Sequence, residues 1–211
     1  MEVENTLAAF EKAIGVGIDY IELDIRMTSD GKVVVSHDSW IPGLGPIERL
    51  PLEQIERVVL RNGQHISTLE EVIEFSRGRV QWLIELKTPG AWWAVLDLVA
   101  RHGIGDQVII ASFHHPTTLQ VKQVSPRVKT GIISYGRLVD PSHALASARA
   151  DVLIQDFEML DEELVAQVKA VRREVFVWTV NDEDSIQKAI TFGVHGIISD
   201  YPEKVMALLA R

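Results

Sequence analysis

Apolar residues recur along this chain in two rhythms that alternate. From Ile18 to Asp38 the spacing is two: Ile21, Leu23 and Ile25 alternate with Glu22, Asp24 and Arg26, so Glu22 and Asp24 project from one face of a strand. Asp30-Gly31 marks a turn. Val33-Val34-Val35 reads as the return strand, ending at Ser36-His37-Asp38. Helical spacing governs Thr6 to Ile14, where Leu7, Phe10 and Ile14 share a face. Asn5 is placed to cap that helix, and Gly15 and Gly17 to stop it.

The stretch from Ser39 to Ser67 is irregular, with one helix expected over Leu52–Leu60 behind Pro51. Thr68-Leu69-Glu70-Glu71 fits a capping box and opens a helix to about Phe75. From there strands and helices alternate. Strands are expected over Val80–Lys87, Val108–Phe113, Val128–Ile133, Asp151–Gln155, Val175–Val180 and Gly196–Ser199. Helices are expected over Trp92–His102, Pro116–Val124, Pro141–Ala148, Asp161–Arg172, Asp182–Phe192 and Pro202–Leu209. Apolar strands alternating with helices define an α/β protein with a parallel sheet, and at this length a (β/α)8 TIM-type barrel. No linker interrupts the pattern, so residues 1–211 are expected to form a single domain.

Seven strands join this succession, since Val33-Val34-Val35 follows a tight turn and is antiparallel to its predecessor. A barrel of eight is one strand short and has two unpaired edges. Either the chain lacks its natural first strand, or a second copy or an irregular segment fills the gap; an open edge favours a homo-oligomer.

Composition narrows the chemistry. The formal net charge is −9, which argues against nucleic acid as a partner. It leaves room for an anionic small molecule, because a bound metal reverses the local field. The chain has no cysteine, so disulfides and thiolate zinc sites are out. No basic leader precedes an apolar segment, and no apolar run approaches the ~18 residues of a membrane span. A cytoplasmic location without membrane insertion is the default expectation.

In such barrels function sits at the C-terminal ends of the strands. Those ends carry Glu22 and Asp24, then Glu85 and Lys87 two apart in Ile84-Glu85-Leu86-Lys87, then Ser112-Phe113, Trp178 to Asn181, and Ser199-Asp200. Three carboxylates suit a hard divalent cation, Mg²⁺ or Ca²⁺. His37 is a proton donor or acceptor near neutral pH. Lys87 offers a point charge to a phosphate oxygen, or an ion pair to Glu85 or Asp24. The carboxylates read equally as charges on an exposed strand face, and Trp178 as core. His114 and His115, adjacent before Pro116, point to opposite faces and make a poor ligand pair. His195, at a strand start, reads as structural, and Glu70-Glu71 and Asp161-Glu162-Glu163 as helix-dipole partners.

Taken together these pieces resemble the glycerophosphodiester phosphodiesterases, of the phospholipase C-like phosphodiesterase superfamily. The resemblance rests on Glu4 to Phe10, Ile21-Glu22-Leu23-Asp24-Ile25, Asp30-Gly31 with Val35-Ser36-His37-Asp38, Ser67 to Val72, Ile84 to Lys87, Ala111-Ser112-Phe113, Val177 to Asn181 and Gly196 to Pro202. They stand in family order across nearly the whole chain. The resemblance implies a distorted TIM barrel that hydrolyses glycerophosphodiesters to an alcohol and sn-glycerol 3-phosphate. It implies metal binding by Glu22, Asp24 and Glu85, with His37 as one of two catalytic histidines. It also implies Lys87 at the phosphate, Phe113 and Trp178 beside the glycerol, and a short cap over residues 39–67. The family's first strand ends in His-Arg-Gly, ahead of Glu4-Asn5-Thr6, and this sequence begins after it. The expectation is therefore an enzyme impaired by loss of one catalytic histidine. The alternatives are a non-catalytic module that binds metal or glycerophosphate, and a phosphodiesterase acting on lysophospholipids.

Overall fold

The computed structural model describes residues 2–210. The chain divides at Ile110/Ala111 into two compact units.

In the first unit, helix α1 (Leu7–Val16) begins at Thr6. Thr6 has the extended backbone an N-cap requires and its hydroxyl accepts from Ala9 N–H. The cap is therefore Thr6 and not Asn5, which lies one residue outside in a left-handed conformation. Gly15 sits inside the helix, and Gly17 ends it at φ 88°.

Strand β1 (Tyr20–Met27) turns at Gly31 into β2 (Val33–Val35), and the two pair antiparallel with Ile25 opposite Val35. A hairpin that the sequence pattern missed follows, β3 (Trp40–Ile41) with β4 (Gly45–Pro46). Helix α2 stops at Leu52–Ile55, well short of the expected Leu60. The β-branched pair Val58-Val59 resists continuation, and a turn at Gly63 returns the chain so that Leu60 N–H donates to the Gln64 carbonyl at 2.7 Å. Ile41, Ile47, Leu50, Ile55 and Ile66 bury themselves around Val34, so the cap segment has a core of its own.

Helix α3 (Leu69–Ser76) carries the expected capping box between Thr68 and Glu71. Strand β5 (Gln81–Leu86) runs parallel to β1, with Glu22 opposite Leu83 and Asp24 opposite Glu85. Helix α4 (Trp92–His102) follows, and strand β6 (Val108–Ser112) crosses the division between the units.

The second unit repeats the strand–helix step. Its elements are α5 (His115–Val124), β7 (Lys129–Ser134), α6 (Pro141–Ala148), β8 (Val152–Asp156), α7 (Glu162–Ala170), β9 (Glu174–Trp178), α8 (Glu183–Phe192), β10 (Gly196–Ile197) and α9 (Pro202–Leu209). The strands lie side by side in the order β7-β8-β9-β10, all parallel. One face of this sheet, through Ile132, Leu153, Val175 and Val177, packs with Leu145, Leu164, Val165, Val168 and Ile186 of the helices. Among the described residues the β/α succession holds seven strands, β1 and β5 to β10, as the pattern indicates.

Candidate functional site

The parallel register of β1 and β5 sets Asp24 beside Glu85, and period-2 alternation puts Glu22 on the same face. One carboxylate oxygen from each of Glu22, Asp24 and Glu85 lies within 4.8 Å of the others. Asp24 and Glu85 are buried, 6% and 8% exposed, and Glu22 is half-buried.

Lys87, two residues past Glu85, turns its ammonium into this cluster, 2.7 Å from Glu85 Oε1 and 3.2 Å from Asp24 Oδ1. Two of the three carboxylates thus pair with this ammonium. Burial, then repulsion from Asp24 and Glu85, drives the Glu22 carboxyl well above the usual carboxylate range. Burial also raises Glu85, against the opposing pull of Lys87. For Lys87, burial disfavours the ammonium, but Glu85 and Asp24 together outweigh it and its pKa rises. The cluster is short of positive charge, and its donors are all oxygen. That is a donor set fitted to a hard divalent cation.

His37 follows β2 on a loop tied to β1. Ser36 N–H donates to the Asp24 carbonyl at 2.9 Å, and the Arg26 guanidinium donates to the His37 carbonyl from Nε at 3.0 Å and again from Nη2. The imidazole is exposed, with Nδ1 3.1 Å from Asp38 Oδ1. Its charged form favours ionised Glu85. Sequence pattern marks Arg26 only as a polar position on β1; its role in anchoring His37 needs the fold.

Phe113, Tyr135 and Trp178 belong to the second unit. The register of β8 and β9 places Trp178 on the face opposite the helix-packed one, at the C-terminal end of β9, and Tyr135 directly follows β7. Trp178 meets Phe113 edge to face, with centroids 5.6 Å apart, and Tyr135 at 6.0 Å. Trp178 is partly buried in this group rather than in the core facing the helices, and Tyr135 is an exposed member that the sequence motifs did not single out.

The remaining histidines have local partners. His114 pairs with Thr117, and His115 Nε2 donates to the Ile133 carbonyl at 2.9 Å. His195 Nδ1 accepts from Val175 N–H at 3.1 Å, as a structural residue should. A second acidic group, Glu70, Glu74 and His102, has the spacing of a ligand set, but Arg101 already pairs with Glu70 at 2.8 Å.

A parallel β/α succession with carboxylates gathered on one face of β1 and β5 is an α/β fold of the TIM-barrel type. Residues 2–204 match the glycerophosphoryl diester phosphodiesterase family, and the chain belongs to it. A glycerophosphodiester phosphodiesterase from Caldanaerobacter subterraneus subsp. tengcongensis is 33% identical over 99% of this chain and 93% of its own length. The crystal structure of a glycerophosphodiester phosphodiesterase from Thermotoga maritima superposes with a TM-score of 0.81 at 28% identity, covering 100% of this chain and 93% of that one. An Oleispira antarctica phosphodiesterase, solved in complex with the product sn-glycerol-3-phosphate, gives 0.92 at 24% identity over 99% and 92% of the two chains. The chain is accordingly a phosphoric diester hydrolase by family. None of the helices among its described residues is long and apolar enough to cross a membrane.

Proposed function

We propose that this chain hydrolyses glycerophosphodiesters to an alcohol and sn-glycerol 3-phosphate in a divalent-cation-dependent reaction. The observation that carries the proposal is the convergence of Glu22, Asp24 and Glu85 oxygens within 4.8 Å, on one strand face with Lys87. Those three residues would hold Mg²⁺ or Ca²⁺, which when bound supplies positive charge against the phosphate. Lys87, beside the same carboxylates, would offer its ammonium to a phosphate oxygen as a point charge. His37 stands on the loop that Arg26 and Asp24 anchor, and delivers a proton to the departing alcohol oxygen. For Phe113 and Trp178 the role beside glycerol carbons rests on the family resemblance and on their shared apolar ring contact. The product bound in the Oleispira antarctica structure supports glycerol 3-phosphate as the product class.

Hydrolysis of a diester needs a second proton transfer, from the attacking group. The resemblance gives it to the histidine of a His-Arg-Gly strand.

The test is direct: incubate the protein with a panel of glycerophosphodiesters and lysophospholipids, with Mg²⁺, Ca²⁺ or a chelator, and assay glycerol 3-phosphate. The expected result is release from glycerophosphodiesters that the chelator stops and either ion restores. Folded protein that releases none from any diester overturns the proposal. Preferred release of lysophosphatidate from lysophospholipids would move the substrate to that class.

A further inference from the structure

We propose that Asn5 is the positioning residue for Asp24, fixing the carboxylate in the orientation that a cation requires; the inference rests on the reading of Glu22, Asp24 and Glu85 as a cation site. Asn5 and Asp24 lie 19 residues apart and exchange two hydrogen bonds. Asn5 Nδ2 donates to Asp24 Oδ2 at 3.0 Å, and Asp24 N–H donates to Asn5 Oδ1 at 3.0 Å.

Strand geometry explains why the second bond is available. β5 takes the hydrogen bonds of alternate β1 residues, through Gln81 N–H to the Asp19 carbonyl and Lys87 N–H to the Ile25 carbonyl. Asp24 N–H therefore faces away from β5. The antiparallel pairing with β2 covers only Ile25 to Met27. Asn5 occupies the place a neighbouring strand would take at Asp24. With Ser36 N–H on its carbonyl and Lys87 on Oδ1, every polar atom of Asp24 has an assigned partner.

Asparagine suits this task on two counts. Its amide donates and accepts at once, which neither a carboxylate nor a hydroxyl of that reach does toward these two groups. Its backbone sits at φ 56°, a left-handed conformation that asparagine tolerates better than most residues. Thr6, buried next to it, closes the start of α1 by donating to the Val3 carbonyl and accepting from Ala9 N–H, so the turn that presents Asn5 is itself fixed. Partners that orient ligating carboxylates typically matter 10–100-fold in metal affinity.

The experiment compares the full chain with Asn5→Gly, Asn5→Asp and Asp24→Asn. Mg²⁺ and Ca²⁺ affinity is measured by calorimetric titration, and thermal unfolding in chelator. Glycine keeps the left-handed backbone without strain and removes both hydrogen bonds. Asn5→Gly is expected to weaken cation binding about tenfold or more. A merely structural Asn5 would lower the melting temperature in chelator and leave affinity within about twofold of wild type, and that result overturns the inference. Should Asn5→Gly not unfold cooperatively, Asn5→Asp decides. It keeps the acceptor for Asp24 N–H, deletes the donor to Oδ2 and adds a carboxylate. The expected result is a shift of at least about threefold in Ca²⁺ against Mg²⁺ affinity, and unchanged affinities overturn the inference. Wild type that binds neither ion, or Asp24→Asn that binds as well as wild type, removes the cation site and the inference with it. Impaired Asp24→Asn beside unimpaired Asn5 variants removes the role of Asn5 alone.

Discussion

The ammonium of Lys87 lies 2.7 Å from the carboxylate of Glu85, two residues before it on the same strand face. Both side chains are less than a fifth exposed, as is Asp24 on the other side of the ammonium. Lys87→Met removes the charge that these two carboxylates share and leaves them buried against each other. The variant is expected to lose about 3 kcal/mol of stability in chelator, read from urea unfolding. Mg²⁺ or Ca²⁺ should recover part of that loss, because a cation takes over the neutralisation. Equal losses with and without the ion would show that Lys87 and the proposed ion do not serve the same carboxylates.

His37 carries the proton in the proposed reaction. His37→Ala should lower turnover by about 10²–10⁴-fold. Binding of sn-glycerol 3-phosphate should stay near wild type, since the exposed imidazole packs little surface. Turnover near wild type would remove the role.

Trp82 is fully buried, and its indole N–H donates to the Ser76 hydroxyl at 2.9 Å. That hydroxyl in turn donates a hydrogen bond to the Val72 carbonyl at 2.6 Å. Ser76→Ala strands the indole donor in the core and should cost about 1–3 kcal/mol in a urea titration. Trp82→Phe added to Ser76→Ala should destabilise less than the sum of the two single changes, because the second change removes the group that the first left unpaired.

His195 should make the fold acid-sensitive. Its Nδ1 accepts the Val175 N–H, which requires a neutral ring, and partial burial followed by the Lys169 ammonium holds its pKa below 6.5. The unfolded chain therefore binds the proton more readily than the folded one. The contribution of His195 is fully present above about pH 6.5 and is lost as pH falls through the depressed value. The urea midpoint of wild type should drop more between about pH 7.5 and pH 5.5 than that of His195→Leu. Identical drops would assign the acid sensitivity elsewhere.

Much of this architecture is legible in the residues, where the signal is local. The capping box at Thr68 and Glu71 and the Pro141 start of α6 each act within one helical turn, and each appears as the pattern indicates. The four charges Glu22, Asp24, Glu85 and Lys87 are legible for the same reason. Period-2 alternation fixes their face, and one parallel register then joins the two strands. What escapes the sequence depends on partners far along the chain. Asn5 has the chemistry of an N-cap and stands beside a helix, yet its partner is Asp24, and Thr6 takes the cap. Arg26 reads only as a polar position on β1 until the fold brings the His37 carbonyl to it. The β3–β4 hairpin has strands of two residues, too short for alternation to register, and α2 ends early where the β-branched Val58-Val59 pair and the turn at Gly63 carry Leu60 back to Gln64.

Whether Glu22, Asp24 and Glu85 hold the cation used in hydrolysis is decided by crystallography with Mn²⁺ standing in for Mg²⁺ and data collected at the manganese edge. An anomalous peak is expected within about 2.3 Å of oxygens from all three residues, with the Lys87 ammonium moved away from Asp24 and Glu85. A peak at Glu70, Glu74 and His102 instead, or full phosphodiesterase activity in a crystal-validated protein whose three carboxylates hold no ion, would contradict it.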